Sequence, residues 1–214
     1  MNIIPAILAQ TQEEFETRLR AAESFTDTVQ IDVLDNTCVP FSSWADPEVI
    51  KKLQTPLHYE LHLMVADVEK YLTLWSPIKN VTRAIFHVEP FSGRENDAHD
   101  LLGSIAFYGW ETGLAVNPET GVATLEPFVE KINTALFLGV NPGQSGQSFQ
   151  PAALKKIRAF KAAHPNILVA VDGGVNAGTI PALKATGVDV LCVASAIFGA
   201  DDPRAAFLNL QKLL

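Results

Sequence analysis

Short apolar, β-branched runs recur along this chain, and each ends on a polar residue or a Gly/Asn loop. VQID ends at Asp32, YELH at His62, AIFH at His87, LAVN at Asn117, FLGVN at Asn141, VAVD at Asp172 and VLCVAS at Ser195. An eighth run, IIPAIL, opens the sequence and carries Ala6 at the matching place. Between the runs lie stretches of helical period. In TQEEFETRLRAAESF, Thr11 can cap while Phe15, Leu19 and Ala22 recur at helical spacing. PEVIKKLQ, DVEKYLTLW, AHDLLGSIAFYG, PETGVATLEPFVEKI, PAALKKIRAFKAAHP, AGTIPALKATG and DPRAAFLNLQKLL complete the alternation. Eight β/α units with polar residues gathered at the strand ends predict an α/β protein, a single (β/α)8 TIM-barrel domain over residues 1–214. An open doubly wound sheet also alternates β and α, but it would carry a Gly-rich dinucleotide turn after an early strand, and this chain has none.

Strand side chains alternate in direction, so the parity of each run separates the barrel interior from the layer under the helices. In the second strand Gln30, Asp32 and Leu34 face inward and Val29, Ile31 and Val33 outward. In the third, His58, Glu60, His62 and Met64 share the inner face, and in the seventh Asp172 shares it with Ala170. Asp32, His62 and Asp172 therefore converge at the mouth. Carboxylates taken out of water need a partner, whether a metal, a proton or a cation.

Two carboxylates across a pocket suit removal of a proton from one face of a carbon beside a carbonyl and its return on the other face. One must be basic while the other holds a proton, and the enediolate between them needs a metal or hydrogen-bond donors. His62 can ligate or donate there.

VDGGVNAGTI and VASAIFG follow the seventh and eighth strands, where many barrels cradle a phosphate. Gly173 and Gly174 let backbone amides approach an anion, Ala194 and Ser195 can add donors, and the NPGQSGQ loop with Gly143 and Gly146 can close over the same end.

A formal charge of −8 argues against nucleic acid as a partner without excluding a small phosphorylated ligand. No run is long enough for a membrane helix, and the chain starts on a strand with no signal-peptide pattern, so a cytoplasmic setting is expected. Of the two cysteines, Cys192 reads as core and Cys38 as an unpaired loop thiol.

The motifs IIPAIL, IDVLDNTCVP, ELHLMV, FHVEP, GLAVNPET, LGVNPGQSGQSF, VDGGVN and ASAIF, in this order over nearly the full length, resemble the ribulose-phosphate 3-epimerases. These are (β/α)8 enzymes that interconvert D-ribulose 5-phosphate and D-xylulose 5-phosphate. The resemblance implies a divalent metal held by two His and two Asp, the Asp residues doubling as acid and base. Asp32, His62 and Asp172 match three of those ligands. The fourth, a His in the family, is Gln30, whose neutral amide oxygen is a much poorer ligand. The site is thus expected to hold zinc, manganese or iron weakly or not at all.

Other departures lie at the same mouth. The family's substrate-contacting Ser is Ala6, its apolar ring of methionines is Leu34, Met64 and Leu138, its Met-Asp-Gly is Leu34-Asp35-Asn36, and its Gly-Phe-Gly-Gly is Gly143-Gln144-Ser145-Gly146. The resemblance also puts His87 near the substrate and implies a homodimer or hexamer.

Glu60 is expected to orient His62 from below. His58 reads as a core histidine, His99 and His164 as surface residues, and Asn117 and Asn141 as loop-shaping residues within reach of substrate. The sequence reading is an epimerase with an altered metal site and reduced or lost activity. A related ketohexose phosphate as substrate and a non-catalytic phosphosugar-binding barrel are the alternatives. Aldolase or decarboxylase chemistry lacks its lysine.

Overall fold

A computed structural model describes residues 1–143 and 146–214, so Gln144 and Ser145 of the long loop lie outside the described residues. Eight strands close into a barrel in sequence order: β1 (Asn2–Ile7), β2 (Thr28–Leu34), β3 (His58–Met64), β4 (Val81–His87), β5 (Glu111–Val116), β6 (Thr134–Leu138), β7 (Leu168–Asp172) and β8 (Val190–Val193). All neighbours are parallel, and β1 pairs with β8 from Asn2 beside Val190 to Pro5 beside Val193. That closure leaves no sheet edge and rules out the open doubly wound alternative.

The helices α1 (Gln12–Ala22), α2 (Pro47–Ile50), α3 (Val68–Trp75), α4 (Glu95–Phe107), α5 (Ala152–Ala163), α6 (Ile180–Lys184), α7 (Ser195–Phe198) and α8 (Pro203–Gln211) accompany the strands. Their starts are written locally. Thr11, Asp46, Asp67 and Asp202 accept the first-turn N–H groups of Glu14, Glu48, Lys70 and Ala205, each cap worth about 1 kcal/mol. The apolar stripe Phe15, Leu19 and Ala22 of α1 is buried as its spacing predicts.

Strand parity also holds. Val29, Ile31, Val33, Tyr59, Leu61 and Leu63 join the apolar layer between strands and helices. Ile4, Ala6, Ile85, Ala115, Leu136, Leu138, Ala170, Val190 and Cys192 form a separate cluster along the barrel axis. The β2–β3 register sets Asp32 beside His62, and the β6–β7 register sets Leu138 beside Asp172. The polar strand ends are thereby delivered to one mouth.

Several local expectations are corrected. The fifth unit has no α-helix but a 3-10 stretch, Val122–Phe128, because Pro127 supplies no N–H to an α ladder. α2 stops at Ile50, well short of the predicted PEVIKKLQ, and α4 begins three residues earlier than its apolar period suggests. β6 ends at Leu138 rather than Asn141. There Gly139 N–H bonds the Asp172 carbonyl at 2.6 Å, and a Cβ on Gly139 would come within 2.5 Å of the Phe149 ring, so only glycine fits.

His58 is exposed, not core, because it is the first residue of β3 at the open lower rim. His99 and His164 are half-buried rather than on the surface: their rings pack tilted against Phe128 and Phe160, with centroids 4.7 Å apart in each case. Cys192 is buried, and burial holds its thiol well above the usual range; Cys38 is exposed and free. Among the described residues no helix is long and apolar enough to cross a membrane.

Candidate active site

Asp32, on β2, and Asp172, the last residue of β7, meet at the mouth through shared donors. Gln30 Nε2 donates to Asp32 Oδ1 at 2.8 Å and to Asp172 Oδ2 at 2.7 Å. His62 Nδ1 lies 3.2 Å and 3.3 Å from the same two oxygens. An imidazole nitrogen and an amide nitrogen thus both bridge one pair of carboxylates. Gln30 is wholly buried, and its Oε1 has no hydrogen-bond partner.

Burial, and then the negative charge of Asp172, push the Asp32 carboxyl above the usual range against the pull of His62 and Gln30. Burial also works against charge on His62. Its hydrogen bonds to Asp172 and Asp32, together with their charges, outweigh that and push its pKa up to about 9.

The other face of the His62 ring meets β4. His62 Nε2 and His87 Nε2 are 3.0 Å apart, and the rings stack with centroids 5.2 Å apart. Burial lowers the pKa of His87, although Glu89 on its far side opposes the shift.

Asp32, His62 and Asp172 each offer a ligand atom, and these atoms lie within 4.8 Å of one another. Two carboxylate oxygens and one imidazole nitrogen fit a divalent zinc, manganese or iron ion and leave coordination positions open. Gln30 meets the carboxylates through Nε2, a donor with no lone pair for a cation, and not through the amide oxygen the sequence reading assigned. Only the buried, unpartnered Oε1 could ligate. The three-residue set therefore fits a divalent ion, with Gln30 at best a weak fourth member.

A cleft opens over these groups, lined by Asp32, His62, Met64 and Asp172 and by loop residues Gly143, Gly146, Gly173, Gly174, Ala194 and Ser195. Gly173 and Gly174 have φ of +92° and +70°, and a Cβ on Gly174 would come within 2.6 Å of the Phe149 backbone. These backbones can approach a ligand because no side chain intervenes.

Over residues 2–198 the chain matches the family model described as the ribulose-phosphate 3 epimerase family. The chain belongs to this family. A protein named ribulose-phosphate 3-epimerase from Schizosaccharomyces pombe is 30% identical over 99% of this chain and 92% of its own length. Others of the same name, from Methanocaldococcus jannaschii and Helicobacter pylori, are 33% and 30% identical, covering 99% and 100% of this chain and 88% and 98% of their own.

One assignment in this epimerase-family barrel changes with the geometry, and another gains detail. His87 lines an adjoining cleft with Glu89 and Asn117, the two clefts sharing Met64 and Pro142. Glu60 makes no hydrogen bond to His62, so it does not orient that ring by one. Its carboxylate is tied to Arg83, whose Nε also donates to Glu111 at 2.8 Å. Burial raises the Glu60 carboxyl while Arg83 pulls it down.

Arg83 has no role in the sequence analysis, yet it shares the inner parity of β4 with His87, whereas Glu89 lies past the strand end in a 3-10 turn where parity no longer applies. For Arg83 that spacing was the available signal.

Proposed function

We propose that this chain is a pentulose-phosphate 3-epimerase, interconverting D-ribulose 5-phosphate and D-xylulose 5-phosphate by proton transfer between Asp32 and Asp172. The observation that carries the reading is the pair of carboxylates on β2 and β7, held face to face at the floor of a cleft by donors common to both.

One carboxylate takes the C3 proton, and the other returns a proton to the opposite face of the planar enediolate. Gln30 Nε2 and His62 Nδ1 hold the carboxylate oxygens in place and offset their mutual repulsion. A divalent ion held by Asp32, His62 and Asp172 would supply positive charge that favours loss of the C3 proton. Leu34, Met64 and Leu138 give the cleft an apolar wall that keeps water from the reacting carbon.

The phosphate falls to the amides around Gly173, Gly174, Ala194 and Ser195, aided by Gly143 and Gly146, with no Lys or Arg among the described lining residues. The names of the relatives support the choice of substrate.

Incubation with D-ribulose 5-phosphate in D2O, with and without zinc or manganese, tests the reading. Deuterium should enter at C3, and entry should cease in Asp32→Asn and Asp172→Asn proteins. No exchange in any condition rejects the pentulose reading and moves the search to ketohexose phosphates, then to binding without turnover.

A further inference from the structure

Glu89 joins the reacting mouth to the loop after β5. Its Oε1 accepts the backbone N–H of Asn117 and the hydroxyl of Thr120, both at 2.6 Å, and its Oε2 lies 3.2 Å from His87 Nδ1. These bonds outweigh the cost of its burial and hold its pKa down to about 2, so it is a carboxylate with only acceptors to offer. His87 Nδ1 must therefore carry the hydrogen, which leaves His87 Nε2 a bare lone pair. Two ring nitrogens 3.0 Å apart need one hydrogen between them, so His62 Nε2 donates. The variable nitrogen of His62 is then Nδ1, the one 3.2–3.3 Å from Asp32 and Asp172.

We propose that Glu89, acting through His87, locks the tautomer of His62, so that Nε2 always carries a hydrogen and Nδ1 is the nitrogen presented to the two carboxylates or to a metal ion. Glu89 is a positioning residue; it touches neither Asp. The importance of the lock for turnover rests on the epimerase reading, but the order of hydrogens does not.

The isosteric Glu89→Gln change tests it. The Asn117 N–H can only donate, so it retains the Gln carbonyl and turns the amide NH2 toward His87 Nδ1. His87 must then carry its hydrogen on Nε2, so His62 Nε2 has to accept and the hydrogen of a neutral His62 moves to Nδ1, the nitrogen a metal ion needs bare. Ring 15N shifts of the metal-free protein report this directly. Wild type should show His87 protonated at Nδ1 and bare at Nε2, Glu89→Gln the reverse, and Glu89→Asp the wild-type order.

Zinc affinity, measured against a chromogenic chelator, should fall about 10- to 100-fold in Glu89→Gln. A wild-type His87 bare at Nδ1 overturns the proposal even if the variant does not fold, and so does an unchanged ring pattern or zinc affinity in a folded Glu89→Gln protein. The ring measurement uses no sugar, so failure of the exchange experiment and failure of the lock are separate results.

Discussion

Gln30 Nε2 stands 2.7 Å from Asp172 Oδ2, joining β2 to β7 across the mouth of the barrel. The same nitrogen holds Asp32, so one neutral amide occupies the place between two carboxylates where a cation would otherwise be expected.

Replacing that amide by an imidazole should convert a donor into a ligand. Gln30→His is expected to tighten zinc binding by at least about 10-fold, the lower range of what loss of a supporting group costs, as read by metal titration. If exchange at C3 rises along with metal uptake, the wild-type barrel is a weakened epimerase. If uptake rises alone, the loops rather than Gln30 limit turnover.

Removing the amide without replacing it leaves the two carboxylates facing each other with one donor fewer. Gln30→Leu should cost about 1–3 kcal/mol, measured as a lower urea midpoint at unchanged slope. A variant as stable as wild type would mean that the orphaned Oε1 cancels what Nε2 contributes.

Arg83 is paired with a Glu60 that is only 1% exposed. Arg83→Ala leaves that carboxylate buried and unpaired and should cost about 3–5 kcal/mol. Glu60→Leu combined with Arg83→Met should recover most of the loss in the same denaturation experiment. Deuterium exchange at C3 in Glu60→Gln protein should keep nearly the wild-type pH profile, because Glu60 is hydrogen-bonded to Arg83 and not to His62.

Glu89 makes stability depend on pH in a stated window. Its pKa is depressed from 4.5 to about 2 on folding, so its contribution is fully present above about 4.5 and is lost as pH falls toward 2. The shift corresponds to at most about 3 kcal/mol, and its side chain's 25% exposure reduces this to about 2. Urea midpoints of wild type should fall across that window more steeply than those of Glu89→Gln, and parallel curves would contradict the assignment.

Gly174 combines a φ of +70° with a closely packed Phe149 backbone. Gly174→Ala should lower stability by more than about 1 kcal/mol. It should also raise KM for the phosphorylated sugar with little change in kcat, since the loop binds the part of the substrate that does not react. A matching fall in kcat would place this loop at the reacting carbon instead.

Much of this barrel was legible in the chain because period-two strands and capped helical stretches are local signals. The parity of QID and ELHLM assigned Gln30, Asp32, His62 and Met64 to the inside, and Thr11 marked the start of α1, from neighbours alone. The misses have two causes. Pro127 turned an expected helix into a 3-10 stretch by a local effect, whereas the pairing of Glu60 with Arg83 is non-local and required the register between β3 and β4.

By itself, then, the sequence determined which residues could reach the mouth, since side-chain direction along a strand follows from position in the chain. Tertiary structure decided what those residues do to one another. Barrel closure through β8 and β1 brought β7 within reach of β2, turned the Gln30 amide nitrogen toward both carboxylates, and aligned Glu89, His87 and His62 in one line of hydrogen bonds. Hydrogen-bond polarity depends on which donor faces which acceptor across separate strands, and no single strand carries that information.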